Sequence, residues 1–174
     1  MIKEKINKLR KLNRLNNIDG YIVPKNDDYF SEYALPNRLK TISNFSGSAG
    51  FAIILKNQNY LFVDGRYILQ AKIESGKYFK IIEIPKIFPC AILKKFKKKL
   101  NIGFDPRIFT NITLRRYFNY ACNLVAISNN LIDEIHIEKK DKKSSHFYIL
   151  NHKIAGKKVL SKINELSRTL KKKK

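Results

Sequence analysis

Between Asp19 and Ala71 the chain strings together, in one order, an extended Tyr-Ile-Val-Pro, an acidic stretch from Asp27 to Tyr33, a Phe-Ser-Gly-Ser-Ala-Gly turn at Phe45 to Gly50 and a compact Asp-Gly-Arg-Tyr at Asp64 to Tyr67. Few folds need these pieces in that sequence. A phosphate-cradling loop carries its glycines after a strand and at a helix start. Gly47 to Gly50 instead precede the apolar run Phe51 to Leu55, so they read as a tight turn that packs backbone closely. Asp64, Gly65 and Arg66 follow the run Tyr60 to Val63 and open a helical pattern. Such a junction sets a planar guanidinium at the C-terminal edge of a sheet, a usual place for ligand contact in α/β folds.

The rest of the pattern is that of an α/β fold, with a mixed sheet of about six strands flanked by helices. Ile2, Ile6, Leu9, Leu12 and Leu15 recur at helical spacing, and Asn16, Asn17 and Gly20 close that helix. Short apolar runs bounded by turn residues predict strands at Tyr21 to Val23, Phe51 to Leu55, Tyr60 to Val63, Phe79 to Ile84, Ile102 to Phe104 and Leu124 to Ile127. The second and third are four residues apart and read as an antiparallel hairpin. Helices are expected over Arg66 to Glu74, Phe88 to Leu100 and Thr113 to Cys122.

After Ile127 the texture changes to a charged, serine-containing stretch typical of a linker. A first domain is therefore placed at residues 1–137, and a linker with a helical stub at 138–174. In the stub, Val159, Leu160, Ile163, Leu166 and Leu170 fall on one face, and an isolated helix of that length is marginal in water without a partner.

A net charge of +22 would ordinarily suggest nucleic acid or an anionic surface. Here the excess is mostly lysine, with 28 Lys against 8 Arg, and Lys, Ile and Asn make up 69 of 174 residues. The lysines are scattered, with runs only at Lys94 to Lys99, Lys139 to Lys143 and Lys171 to Lys174, whereas nucleic-acid modules concentrate their cations on one element and interleave aromatics for stacking. Salt-sensitive adsorption is expected, and specific nucleic-acid binding is not. No run approaches the roughly 18 apolar residues of a membrane span. The start also lacks the apolar core of a signal peptide, so a cytoplasmic location is expected. Cys90 and Cys122 sit in apolar segments and read as reduced core thiols.

Other constellations carry little chemistry. Asp27 and Asp28 adjoin in a polar stretch and read as a solvated turn or cap, and Asp105 before Pro106 reads as a turn cap. His136, His146 and His152 lack the spacing of a zinc site, so no metal is expected in this chain. Neither a nucleophile elbow nor a matched catalytic cysteine can be assembled.

Taken together, the motifs resemble the N-terminal domain of Xaa-Pro aminopeptidases (aminopeptidase P) in the creatinase and prolidase superfamily. Asp19 to Pro24 resembles that family's D-a-[YF]-[IL]-[IV]-P strand, Ser31 to Tyr33 its S/G-E-Y, and Arg38 an arginine before the next strand. Phe45 to Gly50 resembles F-[TSD]-G-S-A-G, and Asp64 to Ala71 carries D-G-R-Y-x-x-Q-A in full. Gly103 to Pro106 is similar to G-[VF]-D-P, Asn130 to Asp133 to N-L-[VI]-D, and Gly156 to Leu170 to the opening helix of a second domain. His136 departs from the pattern, standing where a tryptophan is usual.

The resemblance implies a peptidase centre of two metals, typically manganese, in a following catalytic domain whose motifs do not occur in these 174 residues. No intrinsic peptidase activity and no cofactor are therefore expected of this chain. It further implies that Arg66 contributes to substrate binding, pairing with a peptide carboxylate. An internal ion pair with Asp64 or Glu32 is the alternative role for the same side chain. The partners implied are a separately encoded catalytic chain or a second copy. A stand-alone dimerisation module and a basic nucleic-acid-binding protein are the competing readings.

Overall fold

The structure, a computed structural model, describes residues 1–31, 33, 36–135 and 148–172. It divides into two compact units, Met1–Glu138 and Lys139–Lys174. His136, His146, Glu32 and the predicted boundary at Ile137 lie outside the described residues.

In the first unit, six strands form one mixed sheet in the order β4-β3-β2-β1-β5-β6. They are β1 (Gly20–Pro24), β2 (Phe51–Leu55), β3 (Asn59–Asp64), β4 (Lys80–Ile84), β5 (Asn101–Phe104) and β6 (Asn123–Ala126). All six predicted strands are present, each within a residue or two of its expected limits. β1, β2 and β3 are joined antiparallel, while β4 runs parallel to β3, β5 to β1 and β6 to β5.

Alternation along the strands sorts side chains into two cores. On one face Tyr21, Val23, Ala52, Ile54, Leu61 and Val63 meet α1 (Ile2–Leu15), α2 (Arg38–Ser43), α3 (Ile68–Ser75) and α6 (Leu131–Ile135). On the other, Ile22, Phe51, Ile53, Leu55, Tyr60 and Phe62 meet α4 (Pro89–Leu93) and α5 (Asn111–Phe118). The central strands are buried on both sides, so β1 and β2 read as unbroken apolar runs.

Helix ends depart from expectation for identifiable reasons. The stripe of α1 is set by Ile6, Leu9 and Asn13, whose amide donates to the carbonyl of Ile54 at 3.4 Å, while Leu15 is exposed. The helix expected over Phe88 to Leu100 ends at Leu93. Beyond it, Lys94, Lys95, Lys97, Lys98 and Lys99 would repel at helical spacing. Their backbone takes tighter turns instead, with the N–H groups of Lys95 and Phe96 reaching back three residues. The Lys98 ammonium pairs with Asp19 at 2.8 Å. The helix expected over Thr113 to Cys122 is shifted to Asn111–Phe118 because Thr110 caps its start and Asn119 and Tyr120 (φ 37° and 58°) turn the chain left-handed. The short α2 and α6 were not anticipated.

The second unit holds α7 (His152–Ala155), capped by the side chain of Asn151, and α8 (Val159–Lys172). Lys157 pairs with Glu165 of α8 at 2.6 Å. The stripe Val159, Leu160, Ile163, Leu166 and Leu170 forms as expected and is exposed. Among the described residues no helix is long and apolar enough to cross a membrane.

Candidate functional site

The carboxyl-terminal ends of β1, β3, β4 and β5 and the start of β2 converge on one edge of the sheet, and the motif residues collect there. Asp64 ends β3, and its carboxylate accepts the backbone N–H of Arg66 at 2.9 Å, which starts a single turn of 3₁₀ helix over Gly65–Tyr67. The same carboxylate takes Nε and Nη2 of Arg66 at 3.1 and 2.7 Å, a bidentate pair within two residues. Of the two internal partners expected for Arg66, Asp64 is present, and Glu32 is not among the described residues. The guanidinium lies 5.3 Å from the centre of the Tyr67 ring, and the Arg66 side chain is 75% exposed. Arg66 holds the Asp64 carboxyl below the usual carboxylate range.

The glycine turn and the Asp-Gly-Arg-Tyr element form one structure. Tyr67 shares a 2.7 Å hydrogen bond with Ser48 and meets Phe45 edge-on. Gln70 donates to Ser46 at 2.8 Å, and the Glu74 carboxylate accepts both the N–H and the hydroxyl of Ser46 at 2.7 Å. The turn itself demands glycine. At Gly50 (φ 149°) a Cβ would stand 2.8 Å from the carbonyl of Phe62, and at Gly47 it would strike the Phe45 ring. Glu74 was missed from the sequence, although its place four residues after Gln70 puts both on one face of α3.

A second node lies at the end of β5. Asp105 is wholly buried and does more than cap its turn. It accepts the N–H of Arg107 at 3.0 Å, its guanidinium at 3.0 and 2.7 Å, and the Asn130 amide at 3.0 Å. Burial alone pushes this carboxyl up, but the Arg107 and Asn130 donors outweigh it and hold it below the usual range. Asn130 in turn accepts the N–H of Ile132 and starts α6. Asp133 then clasps the buried Arg38 with two 2.8 Å hydrogen bonds, and Asp28 stands 3.8 Å from the same guanidinium. Asp27 caps its own loop as expected, taking the N–H groups of Tyr29 and Ser31 at 3.0 Å.

Because the folded pKa of Asp105 is depressed, its contribution to stability is complete above the unfolded value near pH 4 and is lost as pH falls through the folded value. The Asp105→Asn variant is expected to be about 1–3 kcal/mol less stable at pH 7. The gap should narrow steadily below about pH 4 in urea titrations. A gap that holds constant down to pH 2 would show that the charge contributes nothing.

Between the two nodes opens a cleft of about 380 Å³, walled by Pro24, Phe51, Ile108, Phe109 and Tyr117 and edged by Lys25, Asn26, Ser48, Asp64 and Thr113. Arg66 stands just outside it, one turn beyond Asp64. Among the described residues no group of three or more His, Cys, Asp or Glu could hold a metal ion, and His152, the only described histidine, is exposed. The described residues therefore do not supply a donor set for a metal centre. Both cysteines are free, and burial pushes the Cys122 thiol up to about 11, which leaves it protonated at neutral pH.

The fold and this edge define an α/β domain with a mixed six-stranded sheet, whose charged motif residues tie loops together around a cleft. The chain belongs to the Creatinase/Prolidase N-terminal domain family, whose model matches residues 5–135. It is 32% identical over 183 residues to a probable Xaa-Pro aminopeptidase P of Laccaria bicolor, covering 98% of this chain and 28% of that protein. To aminopeptidase P1 of Lotus japonicus it is 30% identical, over 88% of this chain and 24% of the relative. Among solved structures, the X-prolyl aminopeptidase of Caenorhabditis elegans, a cytosolic enzyme with a di-nuclear active site, superposes with a TM-score of 0.75 at 26% identity. That match covers 99% of this chain and 31% of the nematode enzyme. The N-terminal domain of the peptidase PepQ from Mycobacterium tuberculosis shares the fold, with a TM-score of 0.59 over 76% of this chain and 98% of that domain. The chain thus spans about a quarter of the length of the curated relatives it matches.

Proposed function

We propose that this chain is the substrate-binding, non-catalytic portion of an Xaa-Pro aminopeptidase-like system and works with the catalytic portion of that system. The observation that carries this reading is the match of nearly the whole chain to only 28% of a full-length relative, within a family defined as an N-terminal domain. In this reading hydrolysis, and the metals it needs, belong to the catalytic portion. Arg66 is the residue assigned to the substrate. Its exposed guanidinium sits at the sheet edge with Asp64 holding Nε and Nη2, so it is oriented before any ligand arrives. A peptide carboxylate would pair with it as a charge-assisted hydrogen bond.

The experiment is capture of the chain from its native lysate, followed by assay of the bound fraction for Mn²⁺-dependent cleavage of an Xaa-Pro peptide. Wild-type bait is expected to bring activity down, and the purified chain alone to have none. An Arg66→Ala bait should bring down the same partner with KM raised about 10–100-fold, the equivalent of one charged hydrogen bond. Hydrolysis by the purified chain, or a captured activity indifferent to Arg66, would overturn the assignment. The exposed apolar stripe of α8 favours a second reading, self-association or docking through that helix.

A further inference from the structure

The turn between α5 and β6 holds Tyr120 at φ 58°, directly after Asn119 at φ 37°. Asparagine tolerates that region, but a bulky aromatic residue rarely adopts it. The ring is nevertheless 75% exposed, so no burial of the side chain compensates for its backbone. It stands at a second cleft, of about 560 Å³, that shares no lining residue with the cleft beside Asp64. That volume is within the range of small-molecule sites, about 300–1,000 Å³.

The cleft has a consistent chemistry. Phe104, Leu114, Phe118 and Leu124 give it an apolar floor, Lys99 and Arg115 supply cations, and Asn111 and Asn123 supply amides. No carboxylate lines it. Elsewhere in this unit the arginines at the sheet edge are spent on aspartates, as Arg38, Arg66 and Arg107 are. Lys99 and Arg115 make no ion pair among the described residues. Cys122, also in the lining, is a buried thiol and offers no nucleophile. A ligand that suits this place brings negative charge and a flat face together.

We infer that this cleft binds a nucleotide, with the base against Tyr120 and the phosphate between Lys99 and Arg115. Aromatic stacking combined with nearby cations is the way proteins hold unpaired nucleotides without reading their sequence. The scattered lysines of the primary sequence gave no such arrangement, because Lys99, Arg115 and Tyr120 are brought together only by the return of the chain from α5 into β6. Free mononucleotide and single-stranded nucleic acid share this chemistry.

The test uses the whole chain, with calorimetric titration of AMP and fluorescence anisotropy of labelled octathymidylate. Tyr120→Gly is the informative variant, since glycine accepts the left-handed backbone and the domain should fold at least as well. It is expected to weaken AMP binding about tenfold or more, as loss of one stacked base does. The Lys99→Gln, Arg115→Gln double variant should also weaken binding and flatten its salt dependence. Tighter, equally Tyr120-dependent binding of octathymidylate identifies nucleic acid as the source, whereas binding of AMP alone identifies a free nucleotide. Absence of AMP binding, or affinity unchanged in Tyr120→Gly, overturns the inference. Displacement of the labelled probe by inorganic phosphate or a glutamate octapeptide as readily as by AMP also overturns it, because bare charge would then suffice.

Discussion

Replacing Phe62 by alanine is expected to destabilise the first unit by about 3–5 kcal/mol, the cost of emptying a buried aromatic site. Phe62 is wholly buried in β3 and stacks on Phe51 of β2 with ring centres 4.8 Å apart and planes 10° from parallel. Phe51 stacks in turn on Tyr117 of α5 at 5.1 Å, and Tyr117 on Phe88 at the start of α4 at 5.9 Å. The ladder thus ties the hairpin to the two helices on that face. Removing its innermost ring deletes apolar contact and one of the two stacks that Phe51 makes, worth about 0.5–1.5 kcal/mol beyond area alone. Neighbouring backbone has little freedom to collapse, because Gly50 already packs against the Phe62 carbonyl. Phe62→Leu keeps most of the volume and should cost about 1.5 kcal/mol or less. Urea unfolding followed by circular dichroism measures both. A loss under about 1 kcal/mol for the alanine variant, well below the usual core cost, would mean that the ladder rearranges to fill the space.

The strands of this domain were legible because each is short, apolar and bounded by turn residues, and because central strands buried on both faces leave an unbroken apolar run. Helix limits were less so. From Lys94 to Lys99 the apolar spacing of Phe88, Ile92, Phe96 and Leu100 pointed to a helix, but the spacing only reported burial. Leu100 does enter the core, carried there by turns rather than by helix. Helices as short as α2 and α6 complete fewer than two turns, too little for a periodic signal to stand out. Both depend on polar partners, one local and one distant in sequence. Asn37 caps α2, and the Asp105–Asn130 hydrogen bond anchors the residue that starts α6.

The candidate site was legible as residues and not as pairs. The exception is Arg66, named with Asp64 or Glu32 as its internal partner, of which the Asp64 pair is present. The joining of Ser46 to Glu74, of Asp105 to Asn130 and of Arg38 to Asp133 spans 28, 25 and 95 positions respectively. Nothing in local spacing announces such contacts. The order of motifs was specific because the segments bind one another at a single sheet edge.

The longest of these links should also be the most coupled. Arg38 is 6% exposed as a residue, and its Nε and Nη2 meet both oxygens of Asp133 at 2.8 Å. Asp133 is 44% exposed, so the desolvation cost of the pair falls mainly on the arginine. Removing the carboxylate therefore leaves a buried cation with only the more distant Asp28 and Asp105 for company. Asp133→Ala is expected to cost about 3 kcal/mol, near the lower end for breaking a buried pair. Arg38→Met, which removes the buried charge and keeps the volume, should cost less, about 1–2 kcal/mol. The double variant should be more stable than the sum of the two losses allows, with a coupling of about 1.5–2.5 kcal/mol from a double-mutant cycle. Additivity within about 0.5 kcal/mol would mean the clasp is incidental. Where the loss appears is equally telling. Asp133 belongs to α6, which places Leu131 and Ile132, each 1% exposed, in the core against β1. If the clasp holds that helix down, hydrogen exchange in Asp133→Ala will accelerate first in α6 and α2, while β1, β2 and β3 keep most of their protection. Uniform acceleration across the sheet would instead make the pair a member of the global core, inseparable from the fold it helps close.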